Sequence, residues 1–351
     1  IWERVSAAVN CTAGLNTQPQ GILAVDSLRH QSGNGRGCGS AVRAKYLPTS
    51  LAGIAVYDFH VELAAESGTQ LSFTPPEHNE IASYFCTGGT TGLPKIAMHT
   101  HRNETANATQ LGAVFEGLFR PERTLLSCLP LFHVNAQLAS GLAAFAAGAH
   151  VLLGPPAGYR AEGLIARFWA ICAHHKVAAF SGVPTVFAGL LQAPTQEHDL
   201  SCLLYAICGA APMPVELFNQ FEARTGVRII EGYGLTECSA VASLNPAQGA
   251  SRVGSIGLRL PWMDMRIVVL DDEGVFLRPA EVGEAGVVAM RGANVFAGYI
   301  NALHNESIWI DIPDSPEHWL NTGDLGRVDE DGFFWLTGRK KELIIRGGHN
   351  I

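Results

Sequence analysis

The sequence predicts an α/β protein of two α/β subdomains, with mainly parallel sheets and flanking helices, followed by a small antiparallel, barrel-like β subdomain. Three observations carry that reading. Between Lys95 and Glu231, short apolar runs alternate with stretches of helical length; strands separated by helices pair in parallel, with the helices packed on the sheet faces. Past residue 260 the helical stretches cease, and residues 265–270 and 286–290 follow as strands around the turn Asp271-Asp272-Glu273-Gly274, which favours antiparallel pairing. A loop rich in glycine and threonine directly follows an apolar run, and open α/β sheets bind ligands at the carboxyl ends of their strands.

Taken in order, residues 1–80 say least. Residues 21–25 read as a short buried strand, and the glycine-rich stretch 31–40 neither follows a strand directly nor opens an amphipathic helix, so it is expected to be a mobile surface loop. Residues 95–99 form a strand, and Thr100 is placed to cap a helix carrying Leu111, Val114 and Phe115. Then come strand 125–129, a small-residue helix over 136–147, strand 149–153, helix 161–175, strand 177–181, helix 184–192, strand 203–208, helix 214–224 and strand 227–231. These patterns divide the chain into 1–80, 81–250, 251–338 and 339–351.

With 351 residues, the chain is long enough to bury a large core. Its net charge of −8 argues against a nucleic-acid partner, which would call for a basic patch. The eight cysteines are scattered, without Cys-x-x-Cys pairs or metal-ligand spacing, so buried reduced thiols of a cytosolic protein are expected. No apolar run approaches the roughly 18 residues of a membrane span.

Within nine residues the loop holds Thr87, Gly88, Gly89, Thr90, Thr91, Gly92 and Lys95. Glycines let consecutive N–H groups approach an anion and form a nest for phosphate, threonine hydroxyls add donors, and the lysine adds a point charge. The spacing is not Walker A, because Leu93 and Pro94 separate Gly92 from the lysine. Alone, the cluster fits a solvated turn equally well. Other candidate stretches sit at strand ends. Pro130-Leu131-Phe132-His133 could reach a pocket, although a lone histidine is often structural. Gly209, Ala210 and Ala211 leave room for a flat ring, or simply make a tight turn. In Glu231-Gly232-Tyr233-Gly234-Leu235-Thr236-Glu237-Cys238, Tyr233 can face a purine between two glycines, Thr236 offers a hydroxyl to phosphate, and Glu237 offers the hard oxygen that Mg2+ prefers. Asn321-Thr322-Gly323-Asp324 supplies a carboxylate able to accept from vicinal hydroxyls, or only a turn former.

Read together and in sequence, these stretches resemble the adenylate-forming superfamily of acyl-CoA synthetases, adenylation domains and luciferases, over about residues 84–351. The resemblance implies that residues 87–95 are the phosphate loop, that His133 shapes and gates an acyl pocket, and that residues 209–211 line the adenine and acyl sites. It further implies that the octet from Glu231 binds purine, α-phosphate and metal, that Asp324 holds ribose, that Arg339 meets ribose or phosphate, and that Lys341 is the hinge of a small C-terminal domain. Amino-acid-activating members carry an aspartate where His133 stands; without it, a buried ammonium would go unpaired. Val183, Pro184 and Val186 add to an expected apolar acyl pocket. Family members extend further at both ends, and their C-terminal domain supplies a lysine to the reacting groups. The chain lacks an initiator methionine and stops after an apolar run, so it is expected to be part of a longer protein, binding ATP or AMP but activating acids poorly by itself.

The activity implied is that of an ATP-dependent acid–thiol ligase, which forms acyl-AMP from a carboxylic acid (a fatty acid by preference) and passes the acyl group to coenzyme A. The alternatives are an aryl-acid or peptide-synthetase-type adenylation domain loading a carrier protein, and a non-catalytic nucleotide-binding protein. ATP, Mg2+ and coenzyme A are the expected cofactors, and the carboxylic acid and coenzyme A the partners, in the cytoplasm. A homodimer is left open.

Overall fold

The computed structural model describes residues 22–24, 50–51, 54–58, 61, 65, 74–87, 94–195, 198–313, 315, 317–339, 345–346 and 349–350. They belong to two units, Ile1–Pro75 and Pro76–Ile351. In the first, β1 (Ile22–Ala24), β2 (Ser50–Leu51) and β3 (Ile54–Asp58) form a sheet in the order β1-β3-β2, with β1 and β3 parallel. The glycine-rich stretch 31–40 lies outside the described residues.

The second unit opens with the hairpin β4 (Ile81–Thr87) and β5 (Lys95–Thr100). Gly88, Gly89, Thr90, Thr91 and Gly92, between its strands, lie outside the described residues, as does Lys341. Thr100 caps α1 (His101–Val114) as expected. Its Oγ1 accepts the Asn103 N–H at 3.2 Å while Asn103 Oδ1 accepts the Thr100 N–H at 2.8 Å, so two otherwise orphan donors are satisfied reciprocally.

Strands and helices then alternate: β6 (Thr124–Ser127), a π-helical segment (Asn135–Leu142) running into α2 (Ala143–Ala146), β7 (His150–Leu153), α3 (Leu164–His174), β8 (Val177–Gly182), α4 (Pro184–Leu190), β9 (Tyr205–Cys208), α5 (Val215–Thr225) and β10 (Arg228–Tyr233). Two short strands, β11 (Ser243–Leu244) and β12 (Leu258–Arg259), complete a sheet of order β12-β11-β10-β9-β8-β6-β7. Its five strands from β10 to β7 are parallel, and β11 and β12 are antiparallel. β8 is buried at every position, as a central strand covered on both faces requires. Phe168, Trp169, Phe187 and Phe221 from α3, α4 and α5 gather around Phe180. Phe168 and Phe180 meet edge-on at 4.8 Å and Phe187 and Phe221 at 5.0 Å, the geometry ring quadrupoles favour.

The second sheet contains β13 (Met263–Leu270), β14 (Phe276–Pro279), β15 (Gly286–Gly292), β16 (Trp309–Ile310), β17 (Trp319–Val328) and β18 (Phe334–Arg339). Its order is β14-β13-β15-β17-β16, with β18 also on β17, and every pair is antiparallel. Met265, Ile267, Val288, Met290 and Leu320 share one buried cluster with Leu111 and Phe115, so this sheet and α1 close a common core. Val268, Val287, Ala289 and Trp319 form a separate cluster, the period-2 division of a strand with two packed faces. The six described cysteines are free thiols, four of them buried.

Candidate active site

Thr87 and Lys95 are register partners across the hairpin, and Thr87 Oγ1 reaches the Lys95 carbonyl at 3.5 Å. The segment 297–300 runs alongside β5: Ala297 N–H donates to Met98 O at 3.0 Å, Met98 N–H to Gly298 O at 2.9 Å and Ile300 N–H to Ile96 O at 3.0 Å. That placement brings the Tyr299 ring to 4.9 Å from Lys95 Nζ, within cation–π range. The Tyr299 hydroxyl in turn donates to Glu237 Oε1. Glu237 lies in the 3-10 turn Thr236–Cys238 directly after β10, and its carbonyl accepts the Phe296 N–H at 3.0 Å. Burial, then the Glu237 charge, push the Tyr299 phenol up, so it stays a neutral donor. Lys95, Thr87 and Glu237 therefore come together, through a tyrosine that the sequence reading did not single out. The only local sign of it is the Gly-Tyr pair ending an apolar run at 295–299.

Three residues before Thr236, the Tyr233 hydroxyl donates to Asp324 Oδ2 at 2.5 Å, and Asp324 Oδ1 lies 3.1 Å from Arg339 Nε. Asp324 and Arg339 are register partners on β17 and β18, which fixes their approach. Asp324 is buried while Arg339 is exposed. Burial, then the Asp324 charge, hold the Tyr233 phenol far above its usual range.

The glycines beside Tyr233 answer to packing as well as to ligand room. A Cβ at Gly234 would stand 2.0 Å from the Ala240 carbonyl oxygen, and one at Gly232 would stand 2.4 Å from Leu244 Cδ2. Glu231 points elsewhere: it is buried, its Oε2 accepts the Gly254 N–H at 2.8 Å, and burial raises its carboxyl to about 7.

At the neighbouring strand ends, Gly209 N–H contacts the Gly182 carbonyl at 3.4 Å, tying β9 to β8. Ala210 adopts φ +68°, a left-handed conformation uncommon for a residue with a side chain, and Ala210 and Ala211 are exposed. His133 is exposed too, and its Nδ1 accepts the Asn135 N–H at 3.4 Å. Close by is a cavity of about 30 Å³ lined by Phe115, Phe119, Asn135, Ala139, Ser140 and Ser181, among others. Val186 belongs to the buried cluster that also holds Phe168, Phe187 and Phe221, and Val183 packs against that cluster. Position at the carboxyl end of β8 is the signal that would have pointed to Ser181.

Among the described residues no three His, Cys, Asp or Glu side chains converge on a metal position. Glu237 offers one carboxylate, which suits Mg2+ carried by a triphosphate rather than a metal caged wholly by protein.

A model of the AMP-binding enzyme family matches residues 31–300. The chain is 45% identical over 299 residues to the marinolic acid–CoA ligase of Pseudoalteromonas sp. (strain SANK 73390), which covers 84% of this chain and 45% of that protein. It is 37% identical over 278 residues to a long-chain-fatty-acid–CoA ligase of Bacillus subtilis (strain 168), covering 79% and 47%. The chain thus spans about half the length of the curated relatives it matches. In fold it is similar to the anthranilate–CoA ligase AuaEII solved with anthranoyl-AMP, with a TM-score of 0.74 at 24% identity over 99% of this chain and 60% of that one. The Bacillus subtilis o-succinylbenzoate–CoA synthetase with ATP and magnesium gives 0.72 at 22% identity over 100% and 65%. From residue 31 to residue 300, by a match across most of its length, the chain belongs to the AMP-binding enzyme family.

Proposed function

We propose that the chain is the nucleotide- and acid-holding part of an acid–thiol ligase. A carboxylate attacks the α-phosphorus of ATP in line, giving acyl-AMP and pyrophosphate; the thiol of coenzyme A then attacks the acyl carbonyl, forming a thioester and releasing AMP. The observation that carries the reading is the convergence of Lys95, Tyr299 and Glu237, with Tyr233, four residues before Glu237 at the end of β10, joined to Asp324 of β17 and through it to Arg339 of β18.

Each residue has a task under this reading. Lys95 and the loop N–H groups offset phosphate charge, which lowers the barrier to in-line attack. Glu237, oriented by the Tyr299 hydroxyl, is the carboxylate offered to Mg2+, which supplies further charge neutralisation when bound. Asp324 and Arg339 align the ribose, so that attack occurs from a fixed pose. His133 and residues 209–211 border the acid. A fatty acid is favoured by the apolar lining of the cavity. The relatives' names span marinolic acid, long-chain fatty acids and sulfoacetate, so the acid must be found by assay.

A screen of carboxylic acids with the full-length gene product, scoring pyrophosphate release with and without coenzyme A, tests the reading. Acid-dependent release together with thioester formation is expected. Release stimulated only by amino acids, or none with any acid, overturns it.

A further inference from the structure

His99, near the end of β5, is 0% exposed. Its Nε2 lies 2.8 Å from the carbonyl oxygen of Thr236, 137 residues along the chain. A carbonyl only accepts, so Nε2 carries the proton and donates. Nδ1 faces α1, 3.7 Å from Glu104 Oε1, and has no hydrogen-bond partner among the described residues. Glu104 accepts the hydroxyl of Ser83, the register partner of His99 on β4, and the Phe85 ring lies 4.9 Å from the imidazole. One buried ring therefore joins both strands of the loop-bearing hairpin to the turn that holds Thr236 and Glu237. An apolar side chain would fill this place without leaving a ring nitrogen unpaired, which buried groups normally avoid. What the histidine adds is its bond to Thr236.

We propose that His99 is a positioning residue, which fixes the Thr236–Glu237 turn relative to β5 and Lys95. The proposal rests on the nucleotide-site reading above. Its effect is confined to the phosphate end, because Tyr233 has a support of its own in Asp324 of β17, which is paired with Arg339 of β18.

Calorimetry on the full-length protein with Mg-ATP and with adenosine separates the possibilities. His99→Leu should weaken Mg-ATP about tenfold or more while leaving adenosine within about twofold, and His99→Gln, whose amide N–H can reach the same carbonyl, should restore Mg-ATP to within about threefold. If His99→Leu does not fold, His99→Asn, too short to span to Thr236, takes its place in the comparison. Unchanged Mg-ATP affinity, equal losses for both ligands, or no rescue by glutamine would each overturn the proposal. A wild-type protein that binds neither ligand would instead remove the nucleotide site itself, whereas binding without discrimination among the variants would remove only the role of His99.

Discussion

Glu231 should make the protein lose stability as pH rises. Its carboxyl is held at about 7 in the folded protein against 4.5 in the open chain, because burial outweighs the Gly254 N–H that stabilises the charge. Below 4.5 both states carry the proton and Glu231 contributes nothing. Between 4.5 and about 7 the unfolded chain has released a proton that the folded protein still holds, so each rise in pH favours unfolding. Above about 7 both are ionised and the full cost of burying the charge is felt. At about 1.4 kcal/mol per pH unit, the gap amounts to about 3 kcal/mol. Glutamine keeps the volume and an oxygen to accept the Gly254 N–H but does not titrate. Urea unfolding from pH 4.5 to 8 should therefore show Glu231→Gln gaining on wild type up to about pH 7 and holding that lead above it, with the two close at the acid end. Parallel curves would refute the reasoning, since a solvated or salt-bridged Glu231 would add no such slope.

Other substitutions probe the site directly. Asp324→Ala removes charge-assisted hydrogen bonds of about 1.5–3 kcal/mol, so AMP affinity by calorimetry should fall about tenfold or more; an unchanged affinity removes the ribose assignment. Tyr299→Phe deletes the donor to Glu237 and should lower the turnover of pyrophosphate release about tenfold, with the KM for the acid little changed; full turnover would leave Tyr299 a packing residue. Gly234→Ala forces a Cβ against the Ala240 carbonyl, and thermal melting should report a loss of about 2–3 kcal/mol. A wild-type melt would mean that this turn has room to spare.

The alternation of strands and helices was legible because the parallel strands read as short apolar runs between stretches of helical length, β8, buried at every position, above all. The cap at Thr100 was legible for a local reason, a hydroxyl one residue ahead of a helix. β11, β12 and β16 are two residues each, too short for period 2 to register. Likewise, a small-residue run such as 136–147 announces a helix but not the wider π spacing that Asn135–Leu142 adopts. Tyr299 and His99 escaped notice for a different reason. Their roles depend on where residues 297–300 settle along β5 and where the β10 turn meets it, about which local periodicity is silent.

The octet from Glu231 to Cys238 is held at two places by two different supports. Tyr233 is tied to Asp324 and, through it, to β17 and β18; Thr236 and Glu237 are tied to His99 of β5, to Phe296 and to Tyr299. The three residue steps from Tyr233 to Thr236 span about 10 Å at most, so one strand end can present a sugar contact and a phosphate contact at a fixed separation. On the proposed reading that separation is what aligns the α-phosphorus with the incoming carboxylate, and neither support alone would set it. The two supports should then fail independently: removing the Asp324 carboxylate should cost nucleoside binding, and removing the His99 donor should cost only what the phosphates add. If both changes were to erase the same increment, the octet would be moving as a single piece, and alignment would have to come from the ligand instead of from the protein.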